Sequence, residues 1–453
     1  MSASGSLRRL SQLHEDEAVV AWWQARTRWL AIHLDAERRR VLLSLAALVA
    51  AAIAVVKALP RGTTTPWLVA PVAFAIVVAL LYACYRAAVR FATLPPAVRR
   101  RPQMALHAIF WCILAVVWLV PSSAVLVAVG TILPFILWRC GYLLKTGQRG
   151  KAAGTRFVDH LFYLHPTWGD ANVPIGKGFD YLTRHEAHTP DAFARAQLAG
   201  IKLLVLALLW SGVQWLMAAL VYGEARHPLT RALGDHVLHV PHLEELLERR
   251  GTPVPMLVAW GSLYVELFRE VLKHAAHGHL TVGALRLFGF NVFRNTYKPL
   301  LAESIVEFWN RYYYYFKELL VDFFFFPTFV RRFKTAPRLR MIAATFAAAF
   351  VGNMYYHALN QDSLILHGDV DAAWRALRPR LLYCLLLAIG ISVSMLREQR
   401  RRGGATVPRG GIARGLRIAG VWTFFAVIHI WSIGANASFT HRTRFFLMLL
   451  GLA

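Results

Sequence analysis

The sequence predicts an all-α, polytopic membrane protein, because its composition, its long apolar runs and its blocks of basic residues all favour this class. Hydrophobic residues fill 57% of the 453 positions, charged residues fill 17%, and the mean hydropathy is +0.42. A soluble chain of this length could not cover its surface with so few charges. The net charge of +26 does not indicate a nucleic-acid partner, because the basic residues lie in blocks between apolar runs.

The amino-terminal residues 1–40 differ from the rest in being polar and mixed in charge. Within them, residues 15–40 set Trp22, Trp23 and Trp29 among arginines, a pattern typical of a helix that lies on a membrane surface. A cytoplasmic cap packed on the helix ends is the alternative. No cleavable signal peptide is evident, so we expect 1–40 to be a cytoplasmic or interfacial segment and 41–453 to be the transmembrane domain.

Apolar runs that are long enough to span a bilayer follow along the chain. They are residues 41–59, 67–85, 104–120, 124–138, 197–221, 254–272, 341–359, 381–396 and 416–433, and a short apolar tail covers 443–453. The basic links after the second and fourth runs lie in the cytoplasm by the positive-inside rule, as does the amino terminus. Counting re-entrant pieces, this charge pattern predicts about ten membrane-embedded helices.

Residues 157–195 do not form a simple span. Helix breakers interrupt the segment at Pro166, Gly169, Pro174, Gly176 and Gly178, while its flanks stay aromatic and apolar. Irregular backbone at membrane depth is tolerated where protein or a water-filled cavity satisfies it. We therefore expect a partly buried or re-entrant segment that lines a cavity, with an ordinary cytoplasmic loop as the alternative.

Cysteines and clustered histidines provide no clear metal site. The cysteines lie in or beside apolar runs without metal-ligand spacing, and we expect them to be reduced packing residues; they are Cys84, Cys112, Cys140 and Cys384. The spacing of His274, His277 and His279 could suit a metal, but no cysteine or carboxylate completes the set nearby. His236, His239 and His242 are interpreted in the same way. Glu266, inside the 254–272 run, should have a partner that the sequence does not identify.

A polar stripe runs through residues 302–324. If this stretch is one helix, at about 100° per residue its polar side chains fall within an arc of roughly 120°. They are Glu303, Glu307, Asn310, Arg311, Tyr314, Glu318 and Asp322. Ionisable groups that faced lipid would each cost several kcal/mol, so the stripe should face protein, water or a substrate. An ion-paired seam between helices, with Lys317 included, is the structural interpretation, and we expect both to hold: the pairs stabilise a helix that lines a funnel, and Asn310, Arg311 and Tyr313 face its bottom.

His357 stands near the end of the apolar run 341–359. An ionisable group at membrane depth is a functional candidate by default. Burial favours the neutral imidazole, which is the form that a general base needs. The structural alternative is an interfacial histidine satisfied by a backbone carbonyl.

Several motifs around His357 occur in a fixed order. They are Leu287-Phe-Gly-Phe290, Asn295-Thr-Tyr-Lys-Pro299, Ser304-Ile-Val-Glu-Phe-Trp-Asn-Arg-Tyr312, an aromatic stretch ending at Pro327, and Val351-Gly-Asn-Met-Tyr-Tyr-His357. This order resembles the membrane-bound O-acyltransferase family, in particular bacterial polymer-modifying members of the alginate O-acetyltransferase type. The similarity covers residues 280–360 and extends more loosely back to 157. Tyr312-Tyr313 stands where the family pattern has Trp-His.

The resemblance implies transfer of an acyl group, most simply acetyl, from a cytoplasmic thioester to a hydroxyl of an extracytoplasmic glycan or envelope polymer. Acyl-CoA or acyl carrier protein would be the donor, with no permanently bound cofactor and no metal. His357 would be the general base, with Asn310 and Tyr313 as further catalytic residues that orient the imidazole or hold the oxyanion. The candidates for lining the substrate tunnel are Arg311, Glu307, Tyr314 and Asn353.

The resemblance also implies a location and partners. We expect a multi-pass protein of a bacterial inner membrane, in contact with membrane lipids, with a periplasmic acyltransferase as a possible partner and no nucleic acid. The basic residues of 331–340 would attract an anionic donor. Two alternatives stay open: a non-catalytic scaffold or transporter component, which Tyr313 at the paired position favours, and a lipid-alcohol acyltransferase.

Overall fold

The computed structural model describes residues 12–120, 123–165, 174–234, 236–248, 254–361, 369–402, 410–433 and 437–452. Within these ranges the chain is helical and has no strand, apart from an isolated antiparallel bridge between Glu186 and Phe290. The predicted all-α class is therefore confirmed. Pro166 and Gly169 of the irregular segment lie outside the described residues.

One compact unit consists of Met1–Leu204, Leu280–Phe293 and Leu359–Val370. Its helices are α1 (Glu17–His33), α2 (Ala36–Ala58), α3 (Pro66–Val89), α4 (Pro96–Arg100), α5 (Pro102–Leu119), α6 (Ala124–Gln148), α7 (Phe179–Arg184) and the start of α8 (Pro190–Leu220). Short 3-10 turns cover Leu13–Glu15, Phe91–Thr93, Ala152–Gly154, Phe157–Leu164 and Pro174–Lys177. The most apolar window of α6 is 72% buried, against 28% for α2 and α3, so α6 is the central helix of this unit.

The amino-terminal segment does not form one helix. Asp35 separates α1 from α2, because its carboxylate accepts a hydrogen bond from the backbone N–H of Arg38 at 2.8 Å and caps α2. Trp23 of α1 donates from its indole nitrogen to Gln197 of α8 at 3.0 Å, while Trp29 is 63% exposed. α1 thus packs on a neighbouring helix through one side and leaves another apolar side uncovered.

Part of the irregular 157–195 segment is buried, as expected. His160, Phe162, Tyr163 and Leu164 are buried in the 3-10 turn Phe157–Leu164. Arg139, from the middle of α6, donates to the backbone carbonyls of Tyr163 and His165. A buried guanidinium therefore satisfies backbone that no regular helix satisfies.

The second unit consists of Val205–His279, Arg294–Ala358 and Asp371–Ala453. Besides the rest of α8, its helices are α9 (Pro228–Leu233), α10 (Leu243–Glu248), α11 (Met256–Leu287), α12 (Ile305–Tyr312), α13 (Tyr314–Leu320), α14 (Phe326–Arg331), α15 (Pro337–Phe346), α16 (Asn353–Leu359), α17 (Val370–Arg402), α18 (Gly411–His429) and α19 (Phe439–Leu449). A 3-10 turn covers Pro299–Leu301, and π-helical turns cover Val321–Phe325 and Ala347–Gly352.

Among the described residues, seven helices are long and apolar enough to cross a membrane, which fits a multi-pass protein. They are α2, α3, α5, α6, α8, α17 and α18. The larger number expected from the sequence is not confirmed. The 254–272 run belongs to α11, which also carries Glu266, Arg269, Glu270 and Lys273. The 341–359 run is divided among α15, a π-helical turn and α16.

Candidate functional site

The helix expected over 302–324 breaks at Tyr313, so that prediction was wrong. Tyr313 has φ −134° and ψ 64°, outside the helical region, and it separates α12 from α13. The segment 295–297 supplies hydrogen-bond partners at the break. The backbone N–H of Tyr314 donates to the carbonyl of Asn295 at 3.0 Å, and that of Tyr315 donates to Oδ1 of Asn295 at 3.3 Å.

The same segment also satisfies the carboxyl end of α12. Tyr297 donates its backbone N–H to the carbonyl of Arg311 at 2.7 Å, and Thr296 donates its hydroxyl to the carbonyl of Tyr312 at 3.0 Å. Asn295 is 1% exposed. A Cβ atom on Gly278 of α11 would lie 3.0 Å from the Cβ of Asn295, so glycine permits this close approach. The asparagine of the Asn-x-x-x-Pro motif is therefore the residue that stabilises the break.

The break brings Tyr313 against α11. The hydroxyl of Tyr313 lies 2.7 Å from Nδ1 and 3.0 Å from Nε2 of His274. On the same helix, Oε2 of Glu270 lies 3.4 Å from Nε2 of His274. A neutral imidazole with its proton on Nε2 would donate toward Glu270 and accept from Tyr313 at Nδ1. These groups form a carboxylate–imidazole–phenol chain, which we call the Tyr313 relay.

Further contacts along α11 connect Glu270 of the Tyr313 relay to a buried acid, Glu266. Glu266 is 2% exposed and accepts hydrogen bonds from Tyr222 at 3.2 Å and from Nε of Arg269 at 3.1 Å. Arg269 also lies 3.7 Å from Glu270. The ring of His242 stacks on Tyr222 with 3.9 Å between centroids. Tyr222 and Arg269 are thus the partners of Glu266 that the sequence left unidentified.

His357 lies on α16 and is half-buried. None of the described residues forms a hydrogen bond with its imidazole, and Arg380 is its charged neighbour. Adjacent rings connect it to the helix break. Tyr356 lies 6.0 Å from His357 and 4.7 Å from Phe316, and Phe316 lies 5.9 Å from Tyr313, each measured between ring centroids. A continuous series of ring contacts therefore links His357 to Tyr313 within the second unit.

Asn353 lies one turn before His357 on the same face of α16. Its side chain is 1% exposed, and its Oδ1 has no hydrogen-bond partner among the described residues. A buried amide oxygen without a partner is unfavourable by about 1–3 kcal/mol. This pair presents an acceptor and a possible base side by side.

Asn310 is exposed and lies in different surroundings. It lines a cavity of about 260 Å³ together with Trp309, Thr345 and Met395, and with Lys317 and Glu318, which pair at 2.9 Å. His357 does not line this cavity. The structure therefore brings together His357 and Asn353, and Tyr313 and His274, but it does not bring Asn310 to the imidazole.

The remaining candidates for lining the tunnel form ion pairs or ring contacts. Glu307 pairs with Arg311 and accepts from the backbone N–H of Glu303 at 2.6 Å. Glu303 itself pairs with Arg417 at 2.7 Å and with Arg414 at 2.9 Å. Nζ of Lys317 lies 4.9 Å from the ring centroid of Tyr314. These contacts are of the kind that the ion-paired seam requires.

The Tyr313 relay was not predicted from the sequence. His274 was considered only as a metal ligand, and among the described residues no group of metal-ligating side chains is large enough for a site. The available signal was Glu270 four residues before His274, a spacing that places both on one helix face. Their meeting with Tyr313 could not be predicted, because it depends on the break in the helix.

Comparison of the sequence with models of known protein families and with curated proteins gives no match.

Proposed function

We propose that the chain is a membrane-embedded O-acyltransferase. It moves an acyl group, most simply acetyl, from cytoplasmic acyl-CoA or acyl carrier protein to a hydroxyl of an extracytoplasmic glycan or envelope polymer. The observation that carries the proposal is His357, a half-buried imidazole without a hydrogen bond to the described residues, set beside the unpartnered Oδ1 of Asn353. Both residues lie in the stretch whose motifs resemble the membrane-bound O-acyltransferases.

In the proposed reaction, His357 acts as the general base. The acceptor hydroxyl transfers its proton to an imidazole nitrogen while its oxygen forms a bond to the thioester carbonyl carbon. The tetrahedral intermediate then collapses, the C–S bond breaks, and the departing thiolate takes the proton from the imidazolium. A positioned base of this kind contributes about 10²–10⁴-fold to the rate.

Asn353 would bind the acceptor. Its buried Oδ1 can accept a hydrogen bond from a substrate hydroxyl, and binding would thereby remove the unfavourable burial of an unpartnered oxygen. The same hydrogen bond would hold the hydroxyl one helical turn from His357, within the reach of the base. Asn353 thus offers a physical reason for selecting a hydroxyl acceptor.

The Tyr313 relay would supply the second polar group of the site. Where the family pattern has a histidine, this chain has a tyrosine whose hydroxyl contacts a histidine from α11. Glu270 favours the imidazole tautomer that accepts at Nδ1, so the phenol can pass its proton to His274. The proposed role of Tyr313 is to move a proton, or to donate to the developing oxyanion, alongside His357.

The proposal includes a location in a bacterial inner membrane with the amino terminus in the cytoplasm. The exposed basic residues Arg332, Lys334 and Arg338 would attract the anionic donor. A periplasmic acyltransferase could complete the transfer to the polymer. A non-catalytic scaffold or transporter component is the second candidate, and the tyrosine at position 313 favours it. A lipid-alcohol acyltransferase is the third.

The test replaces His357 by alanine in the full-length protein and measures ester content of envelope polymers by mass spectrometry at matched protein level. We expect ester formation to fall by about 10²-fold or more. His236→Ala changes an exposed histidine and serves as the control. Ester content within about twofold of the wild type would instead support the scaffold, since general-base removal has a much larger effect. Esters found in the lipid extract would support the lipid-alcohol acyltransferase.

A second variant tests the Tyr313 relay. Tyr313→Phe removes the hydroxyl that contacts His274 while keeping the ring packed against Phe316. We expect acyl transfer to fall by about tenfold or more, with the unfolding temperature nearly unchanged. Tyr297→Phe, at a tyrosine that is 52% exposed, is the matched control. Full activity of Tyr313→Phe would assign the relay to structure alone.

A further inference from the structure

An apolar cavity lies among α3, α5 and α6 in the first unit. It has a volume of about 340 Å³, and every side chain that lines it is apolar or a thiol. α5 contributes Pro102, Ala105, Ile109 and Ile113, which recur at helical spacing and form one face. Such a cavity in water would stay dry, and in a bilayer its natural occupant is hydrocarbon.

The dimensions of the cavity match one leaflet. At about 1.5 Å per residue, the lining stretch 102–113 of α5 is about 16 Å long, and the lining stretch 133–144 of α6 has nearly the same length. The hydrocarbon core of a bilayer is about 30 Å thick, so each leaflet contributes about 15 Å. The cavity is therefore as long as the acyl region of a single leaflet.

Positive charge is concentrated at one end of the cavity. Arg99 of α4 lies in sequence between the lining residues Val98 and Pro102, and Arg90 follows the lining residue Ala87 at the end of α3. Both arginines are exposed, and neither forms an ion pair with a described carboxylate. The sequence has no aspartate or glutamate from residue 38 to 158. The sequence on either side of these arginines therefore supplies no carboxylate to pair with them.

We propose that this cavity is a binding site for an anionic phospholipid. One acyl chain would fill the space among α3, α5 and α6, and the phosphate would lie at Arg90 and Arg99. The length of the cavity places these arginines at headgroup depth when the chain lies along α5. The unpaired positive charge favours an anionic over a zwitterionic headgroup. This site lies in the first unit and does not depend on the proposed acyl transfer.

The test uses the full-length protein in phosphatidylcholine nanodiscs that contain a small fraction of photoreactive phosphatidylglycerol with a diazirine in its acyl chain. Mass spectrometry of the cross-linked protein maps the label. We expect it to concentrate in residues 102–113 and 133–144, above the other lipid-facing helices. Labelling that is uniform around all exposed helices would overturn the proposal, because it would show only the ordinary surrounding lipid.

Two pairs of variants separate the acyl-chain contact from the headgroup contact. Ala105→Phe fills the cavity, whereas Ala108→Phe changes an exposed position on the same helix that does not line it. We expect the first to abolish the concentrated label and the second to retain it. Equal labelling of both variants, each eluting as a single species in size-exclusion chromatography, would refute the cavity as the site.

The headgroup contact is tested by changing the two arginines together. Arg90→Gln with Arg99→Gln should reduce the preference for phosphatidylglycerol over a phosphatidylcholine probe by about fivefold for each arginine. Arg149→Gln, an exposed arginine after α6, should leave the preference unchanged. An unchanged preference in the double variant would show that the cavity does not select anionic lipid.

Discussion

At the scale of single residues, two buried asparagines have opposite environments. Asn295 and Asn353 are each 1% exposed. The Oδ1 of Asn295 accepts from Tyr315, whereas that of Asn353 has no partner among the described residues. An unsatisfied buried polar group lowers stability, and each such group in a native structure calls for an explanation, of which a role in binding or catalysis is one. We therefore assign Asn295 to the fold, whereas the proposed function gives Asn353 a role in binding the acceptor.

This assignment predicts opposite effects of the same substitution. Asn353→Leu should raise the stability of the protein or leave it unchanged, because it removes a buried, unpartnered oxygen that destabilises the fold by about 1–3 kcal/mol. Asn295→Leu should destabilise the protein by a similar amount, because it leaves the backbone N–H of Tyr315 without an acceptor. Thermal unfolding in detergent measures both effects.

Activity provides the second measurement on this pair. Acyl transfer by Asn353→Leu should fall although the protein is at least as stable as the wild type, because the acceptor hydroxyl loses its hydrogen-bond partner. A loss of stability in Asn353→Leu comparable to that in Asn295→Leu would contradict the assignment and make Asn353 a structural residue.

The sequence predicted contacts between residues that are close together in the chain, but not contacts between distant residues. Asn353 and His357 were predicted as site residues, and their neighbourhood follows from a spacing of four on one helix. The contact of Tyr313 with His274 joins residues 39 positions apart. It depends on which way the backbone turns at the break, and no local pattern encodes that turn. Asn310 was grouped with Tyr313 by motif, yet the break sends the two side chains into different surroundings.

At the scale of elements, a loop determines how the central motif folds. Periodicity predicts one helix over 302–324. The structure has α12 and α13 instead, since Asn295, Thr296 and Tyr297 provide partners for the backbone groups that the break exposes. Local periodicity could not reveal the break, because the loop that stabilises it comes from before the motif helix.

The close approach of this loop to α11 gives a prediction on helix glycines. Gly278→Ala would place a Cβ at 3.0 Å from the Cβ of Asn295 and 3.1 Å from its Nδ2, so the loop must move. We expect a destabilisation of about 1–3 kcal/mol, as for other overpacked sites. Gly261→Ala on the same helix meets no atom within 4 Å. It should stabilise α11 by about 0.5–1 kcal/mol.

Unfolding by denaturant, with both glycine variants in the same detergent, compares these energies. Displacement of the loop should also reduce acyl transfer by Gly278→Ala, because Tyr313 would lose its position against His274. Equal stability of the two variants would show that the loop moves at little energetic cost. The inference that Asn295 fixes the position of Tyr313 would then be wrong.

The ion pairs of Glu303 connect the motif region to α18 and give a pH prediction. Arg417, followed by Arg414, holds the pKa of the Glu303 carboxyl below its ordinary value. A carboxyl with a depressed pKa in the folded state stabilises the fold fully above its unfolded pKa of about 4.3. That contribution is lost as the pH falls through the lower, folded-state pKa.

The unfolding temperature of the wild type should therefore fall more steeply than that of Glu303→Gln between about pH 5 and about pH 3. Glu303 is partly exposed, so the difference should be small and should shrink in high salt. Identical pH profiles for the two proteins would show that this ion pair does not contribute to the docking of α18.

At the scale of the whole molecule, the apolar runs predicted most of the helices, and two runs depart from the prediction for different reasons. The seven candidate spans coincide with predicted runs. The runs 254–272 and 341–359 do not qualify, because α11 carries the charges from Glu266 to Lys273 and the other run is broken by a π-helical turn. Composition identifies a helix that can face lipid. It does not show whether a charged helix crosses the membrane while surrounded by other helices of the protein.

The runs 254–272 and 341–359 allow a test of topology, because they lie on either side of the basic residues of 331–340. If both segments cross the membrane, these residues lie in the cytoplasm; if neither crosses, they lie outside, and every other link keeps its side. The positive-inside rule favours the cytoplasm. The ion pairs along α11 make its crossing feasible, since Glu266 and Arg269 neutralise each other within the protein.

We therefore expect Lys334→Cys to be protected from a membrane-impermeant thiol reagent in intact spheroplasts and to react after the membrane is opened. The background carries Cys112→Ser, because Cys112 is the exposed native thiol. Thr63→Cys, in the link between α2 and α3, should react from outside, and Arg149→Cys should be protected. Reaction of Lys334→Cys in intact spheroplasts would place the basic block on the outer face. The block could not then attract a cytoplasmic donor, and the proposed path of the acyl group through the second unit would lose its entrance.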